Sequence, residues 1–496
     1  MTDNTEIKRA NSRPLDVHRW SDHPDAKFLV DPIWSQYFSD VFQDGGKGNK
    51  ANSSHKKQFK VLLLDLYVAW LEDPDMTIGV GMSKRFYKAK SRYNKLYISS
   101  LMIEIVRQFM STELVDWRIG SELSKKTTRI RPTEKLRSYF KNCKLSKFEL
   151  SKLNSQEVIV LNNTENSDNK PKTQPIEYHD TDFPSIPKMR QQLRDYNELL
   201  WKSFIDIPTL ENPYIEREKV IRGASKLERI HLNQNTKFVR RIFYRGDWHL
   251  GGRFHGGWWQ RVGEDWRRQI YINDESTVEQ DYSGLHINLL YGLKGIQPEG
   301  DPYQLDLLLD FNAQEQRKIV KSLLLMSINA TSPAKAFGAF RQKQPQGSAA
   351  AGLKDKKLQV LLDCFKEKHP DIKDSICSDR GVHLMNIDGR ITSKVINYFT
   401  QKRIPILTIH DSYITQNRYT GLLNKVMNDF ISEELNGLKI EVVQDGLGID
   451  QVQAFRNQDK SNAEDYKFSS IRTYKRTKAY KTRVKEHKAW LQEYNK

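Results

Sequence analysis

Two aspartates at positions 281 and 411, each placed at the end of a strand with a basic helix between them, constrain this chain more than any other feature. The stretch TVEQDYSGLHINLLY alternates apolar and polar residues up to Asp281, then changes to helical spacing at Leu285, Leu289 and Leu290. The stretch IPILTIHDSYI predicts a second strand that ends at His410-Asp411, with Ser412 to Ile414 returning as a hairpin. Between them AQEQRKIVKSLLLMSINA reads as a helix. Arg317 and Lys321 lie four residues apart on one face of it, and Leu324 and Ile328 continue that face. Paired carboxylates at strand ends suit two hard divalent cations, Mg²⁺ or Mn²⁺, held about 4 Å apart for phosphoryl transfer. The cationic pair suits a triphosphate, and its apolar continuation suits a nucleobase.

Composition agrees with a polyanionic partner. In 496 residues, 80 Lys+Arg stand against 62 Asp+Glu, a net charge of +18. Such a surplus points to nucleic acid, or otherwise serves solubility alone. With 21 Phe, 21 Tyr and 10 Trp, the chain has the means to build real cores, and its length allows two or three domains. Cys143, Cys364 and Cys377 are odd in number and widely spaced, against both a disulfide scaffold and a zinc quartet. No apolar run approaches a membrane span and the first residues lack a secretory h-region, so no membrane partner and a cytoplasmic location are expected.

Residues 1–54 hold few apolar anchors and read as an irregular segment. From Phe59 the pattern is helical, with Phe59, Leu62, Leu63, Leu66 and Trp70 on one face; a strand from Met76 to Val80 follows. Ile98, Leu101, Met102, Ile105, Val106 and Phe109 then mark another helix. The strand-like LVDWRIG and TTRIRPT flank a polar turn, and a short helix runs from Leu136 to Phe140. Helix, strand, helix and basic hairpin over 55–150 is the order of a winged helix. Arg92 and Lys95 before the second helix, and Lys125, Lys126, Arg129 and Arg131 in the hairpin, can meet DNA phosphates. A protein-binding winged helix, or a merely solvated basic face, carries the same pattern. Residues 151–190, polar and proline-rich, read as a linker; 191–455 reads as one large α+β domain. The stretch 456–496 reads as a basic tail with interleaved aromatics, suited either to nucleic acid or to docking as a helix.

The central residues resemble a known superfamily. Asp281-Tyr282-Ser283 is similar to motif A of the family A DNA polymerases and the phage-type single-subunit RNA polymerases. Gly300-Asp301-Pro302-Tyr303 resembles the acidic segment after it, and Arg317-x3-Lys321 resembles motif B. Asn386-Ile387-Asp388-Gly389-Arg390, read as opening a helix, resembles the stretch before motif C, and His410-Asp411 resembles motif C itself. Arg253, in GGRFHGG, falls where the family places a GR element against the primer end. The resemblance implies a right-hand polymerase with palm segments 245–300 and 385–455 and fingers 301–384. It also implies roles. Asp281, Asp411 and the Tyr282 carbonyl would hold two Mg²⁺ or Mn²⁺ ions. Arg317 and Lys321 would hold the nucleoside triphosphate, with Lys321 also catalytic, and Arg253 and His410 would meet the primer–template.

The departures bear on the product. Where family A DNA polymerases carry a glutamate that screens the sugar, this chain has His286; where both families carry a tyrosine, it has Asn329. The triplet His-Asp-Ser matches the RNA enzymes, whereas Asp-Tyr-Ser matches the DNA enzymes. No ordered carboxylate set for a proofreading exonuclease is visible. The expectation is DNA-directed DNA synthesis without proofreading, in replication of a plasmid, phage or mobile element. RNA synthesis or priming, template-independent nucleotide addition, and a catalytically inactive DNA-binding initiator are the alternatives. His249, His255, Trp258 and Trp259 are read as either a base-stacking surface or core, and Cys364, His369 and Cys377 lack a fourth partner for zinc.

Overall fold

In the computed structural model the described residues are 11–42, 50–120, 127–150, 156–167, 170–221, 224–306, 308–446 and 472–495. The chain is α+β and divides into two compact units: Met1–Val158 with Asp206–Phe238 and Arg476–Lys496, and Ile159–Ile205 with Val239–Lys475. No helix among the described residues is long and apolar enough to cross a membrane.

The first unit has the expected order of helix, strand, helix and hairpin, but more of the chain contributes to it. Helices Lys50–Glu72 and Leu101–Ser111 pack over a four-stranded sheet that includes Thr77–Val80, Val115–Arg118 and Thr128–Pro132. Residues 1–54 are not simply irregular. Ser12–Pro14 pairs parallel with Thr77–Gly79, and Pro24–Tyr37 is a helix that buries Ala26, Leu29, Val30, Ile33 and Trp34. Pro32 inside that helix disguised its apolar stripe, since proline usually reads as a break. Residues 206–238, expected in the large domain, belong here as well: Arg229 pairs with Asp73 at 3.0 Å and Arg19 donates to Asn235 at 2.7 Å. Within the basic C-terminal stretch, the described residues follow one of its two expectations, docking as a helix. Lys478–Tyr494 is a helix whose Tyr480, Val484, His487 and Trp490 are buried, with Trp490 stacked on Phe148 at 5.1 Å. Its Arg483 reaches the buried Asp206 at 2.7 Å.

The second unit is built on two sheets. One orders Ile406–Ile409, Ser412–Gln416, Glu275–Tyr282 and Tyr271–Ile272, with Val442–Asp445 also pairing Glu275–Tyr282. The other joins the antiparallel strands Arg240–Tyr244 and Asp247–His255 to a hairpin, Ile159–Ser167 with Lys170–Pro175. That hairpin corrects the linker reading of 151–190. Ile159–Leu161 pairs parallel with Arg241–Phe243, and the prolines that argued for a linker, Pro171 and Pro175, fall on the edge strand, where a missing donor is tolerated.

The long helix Gly381–Gln401 crosses this second sheet at very short range. A Cβ on Gly389 would lie 2.3 Å from the carbonyl oxygen of Gly252, and Gly252 itself holds φ +84. NIDGR therefore sits inside the helix rather than opening it. Of the glycines in GGRFHGG, Gly252 admits the helix backbone, while the space at Gly251 and Gly257 is taken by Tyr244 and Trp259. Gly389→Ala should therefore cost about 1–3 kcal/mol or more, because main chain must shift. Gly338→Ala, in a helix with open space around it, should stabilise by about 0.5–1 kcal/mol. Urea unfolding of both variants reads the contrast.

Candidate active site

Strand register brings the two sequence-distant aspartates together. Asp281 lies opposite Ser412, the residue after Asp411, as Glu275–Tyr282 runs antiparallel to Ser412–Gln416. His410-Asp411 is a two-residue turn, because Ile409 pairs directly with Ser412. His410 holds φ +59, the left-handed sign that tight hairpin turns require. Neighbouring side chains hold the turn. Trp259 Nε1 and Gln260 Nε2 donate to the Thr408 carbonyl at 3.0 and 2.9 Å. The Thr392 hydroxyl donates to the His410 carbonyl at 3.3 Å and bonds the buried Tyr413 hydroxyl at 2.9 Å. Trp258 and Trp259 are thus fully buried core and not a stacking surface.

Asp281 remains accessible to solvent, yet the walls around it and the neighbouring Asp411 push its pKa up to about 7, against the pull of Lys321. Glu279, two residues earlier on the same strand face, adds to the rise and accepts from Ser412 Oγ at 2.8 Å. Lys321 is exposed on helix Ala313–Asn329 and stands with its Nζ 5.8 Å from the centre of the Tyr303 ring. Tyr303 is itself buried, and burial lifts its hydroxyl to about 12. Arg317 shares that ring at 5.6 Å but is already engaged by Asp301, from the Gly300–Tyr303 segment. Its expected grip on a triphosphate is therefore qualified, since Asp301 must be displaced or shared. Leu324 and Ile328, expected to face a base, are buried instead. Asn329 ends the helix, exposed, its amide donating to the Leu325 carbonyl at 2.7 Å.

A second cluster lies on the Asp411 side. Arg253 is ion-paired with Asp388 and meets His286 Nε2 at 2.9 Å through Nη2. Asp388 is 1% exposed; its pKa rises to about 6 through burial, with Arg253 opposing and Asp411 adding. His286 and His255 are lowered to about 4 by burial, and His410 is lowered too; the positive Arg253 adds to all three. These imidazoles are neutral at pH 7. Arg253 is therefore spent inside the protein rather than extended toward a duplex, and His286 is a buried partner of Arg253. Asp388 lies within the Asn386–Arg390 stretch, and the resemblance assigns it no separate role. An aspartate between Ile387 and Gly389 on an apolar helix face was the available signal.

Among the described residues no group of three or more His, Cys, Asp or Glu side chains gathers around a metal position. His369, from the discarded zinc set, instead bonds the Tyr291 hydroxyl at 2.6 Å and the Pro302 carbonyl at 3.0 Å. Two carboxylates suffice for magnesium, which takes its remaining oxygens from water and substrate phosphate. Asp281 and Asp411 fit that demand: hard oxygen donors, mutually repelling, with one still open to solvent. The Tyr282 side chain takes no part, being buried with its hydroxyl on the Met427 carbonyl at 2.7 Å.

In the first unit the expected DNA contacts are mostly committed within the protein. Arg131 pairs with Asp116 at 3.1 Å, Arg129 donates to Ser12 Oγ at 3.2 Å, and Arg92 approaches Glu157 at 3.6 Å. Lys95 is exposed. Lys125 and Lys126 lie outside the described residues.

Compared with known proteins, the chain matches no protein-family model and no curated protein sequence.

The raised pKa of Asp281 has a definite sign. A carboxyl held above its unfolded value contributes stability that is whole below about pH 4 and is lost as the pH climbs through about 7. With divalent cations chelated, Asp281→Asn should melt above the wild type at pH 8.5, and the gap should narrow as the pH falls through 7 and close by about pH 4. Magnesium should narrow it at pH 8.5 by stabilising only the wild type. Thermal unfolding across that pH series is the measurement.

Proposed function

We propose that this chain is a template-directed nucleotidyltransferase, a polymerase-type enzyme with DNA synthesis as its first product and RNA synthesis as its second. The observation that supports it best is the strand register that sets Asp281 beside Asp411, with the Lys321 cation facing the pair. Repelling carboxylates without counter-ions destabilise a fold, so they make sense as holders of cations.

In this reading Asp281 and Asp411, with the Tyr282 main-chain carbonyl, would hold two magnesium ions. When bound, these would ease ionisation of the primer 3′ hydroxyl and neutralise charge on the phosphates. The 3′ oxygen forms its bond to the α-phosphorus as the bond to the pyrophosphate oxygen breaks. Lys321 neutralises the departing pyrophosphate and gives it a proton. Tyr303 positions Lys321, and Asp301 holds Arg317 until phosphate oxygens compete for it. The neutral His410, held by the hairpin turn, orients the primer end. The pair Arg253–Asp388 acts from behind as a brace for His286. With no glutamate at position 286, rejection of the ribose 2′ hydroxyl is expected to be weak. A winged-helix role for the first unit, with Lys95 among its phosphate contacts, completes the reading.

Extension of a labelled primer–template with magnesium, run in parallel with deoxynucleotides and ribonucleotides, tests it. We expect template-length products from deoxynucleotides and fewer from ribonucleotides. Asp411→Asn should lower the rate by about 10³-fold or more, and Lys321→Ala by about 10²-fold. A ribonucleotide preference would move the assignment to RNA synthesis. Absence of incorporation with both, despite salt-sensitive DNA binding, would overturn it in favour of a non-catalytic initiator.

A further inference from the structure

An arginine without a counter-ion lies away from the carboxylate pair. Arg241, on strand Arg240–Tyr244, is only 5% exposed. Its Nε donates to the Gly252 carbonyl at 2.9 Å and its Nη1 contacts the Met189 sulfur at 3.1 Å. The rings of Phe243 and Phe254 lie 5.2 and 5.3 Å away. None of these groups carries a negative charge. The carboxylate that acts on it, Asp388, is already paired with Arg253, while Arg390 repels it, and burial with that repulsion lowers its pKa to about 10. A buried guanidinium in such surroundings is costly unless an anion completes it.

The same arginine lines a shallow cleft whose enclosed part is only about 10 Å³, so a bound group larger than a water sits in its open mouth. Helix Ile186–Lys202 and helix Gly381–Gln401 form the walls. They contribute Gln192 from the first and Ser393 and Asn397 from the second, with Met189 and Phe254 as apolar lining. Among the described residues none of these three polar side chains is hydrogen-bonded. One planar cation, one hydroxyl and two amides can all donate, and they converge on one narrow space. That set matches an oxyanion with several oxygens rather than a halide or a cation.

We propose that this cleft is a phosphate-binding site, taking a phosphate group from a nucleic-acid backbone or from free phosphate, with Arg241 as its charged floor. It uses no residue of the carboxylate pair and stands whether or not the chain polymerises nucleotides. The phosphate supplies the missing counter-ion, Gln192, Ser393 and Asn397 satisfy its remaining oxygens, and occupancy clamps the two helices against the sheet.

The test is thermal unfolding of the full chain in millimolar sodium phosphate against sodium chloride at equal ionic strength. Phosphate should raise the midpoint of the wild type by several degrees, as expected of a ligand that binds only the folded state. Asn397→Asp, which places a carboxylate in the cleft, should raise the midpoint without phosphate and lose most of the phosphate response. Arg241→Gln should lose that response as well; should it fail to fold, Asn397→Asp still decides. Lys321→Ala should keep the response, which separates this cleft from the triphosphate site. An equal midpoint in both salts, or an unchanged phosphate response in Asn397→Asp, would overturn the proposal. A thymidine dinucleotide that acts at lower concentration than inorganic phosphate assigns the cleft to a phosphodiester; the reverse order assigns it to free phosphate.

Discussion

Along Glu275–Tyr282 the residues Val278, Gln280 and Tyr282 are buried while Glu279 and Asp281 stay accessible. This alternation ties the pairing of the strand to the solvation of its charges. A slip of one residue would drive two carboxylates into the core and turn a buried tyrosine to water. Because the strand pairs on both sides, with Ser412–Gln416 and with Val442–Asp445, the penalty acts across three strands at once. The nearness of Asp281 to Asp411 follows from that register and from a turn too short to allow another. The hydroxyl of Tyr282, anchored on Met427, and that of Tyr413, bonded to Thr392, keep both strands seated from the helical side.

The second organising contact is backbone on backbone. Gly389 against Gly252 lets a helix approach a strand more closely than any side chain would permit, and the flanking residues Asp388 and Arg253 meet as a result. Burying that pair costs desolvation, and burial alone would not select it for stability. What it does provide is a positive charge at fixed height among His255, His286 and His410, which adds to the burial that lowers all three. The charges of this unit are thereby sorted. Negative charge collects at the strand ends, and positive charge stands behind it on Arg253 and across from it on Lys321.

Both strand–aspartate segments, the two-residue turn and the helix carrying Arg317 and Lys321 were legible in the sequence, because apolar periodicity and turn chemistry act over a few residues. The helix Pro24–Tyr37 was not, since Pro32 hid its stripe. Nor was the pairing of Ile159–Leu161, whose partner strand lies some 80 residues away. Leu324 and Ile328 show the limit of helical spacing: it groups residues on a face without saying what covers that face. Arg92, Arg129 and Arg131 show the same limit for charge. Each has an acidic or polar neighbour that is remote in the chain, so a basic run read locally overstates what is left for a partner.

Taken by itself, the order of residues determined where strands end, which residue types stand at those ends, and that an α+β chain with a surplus of 18 positive charges would carry them. Local sterics and the hydrophobic period are enough for that. Only the tertiary structure decided which carboxylates share a site, which arginines are spent on internal partners, and that Arg241 is buried among groups without a negative charge. Those outcomes depend on contacts between segments tens to hundreds of residues apart, where register, close glycine packing and desolvation choose among pairings that the local pattern leaves equal.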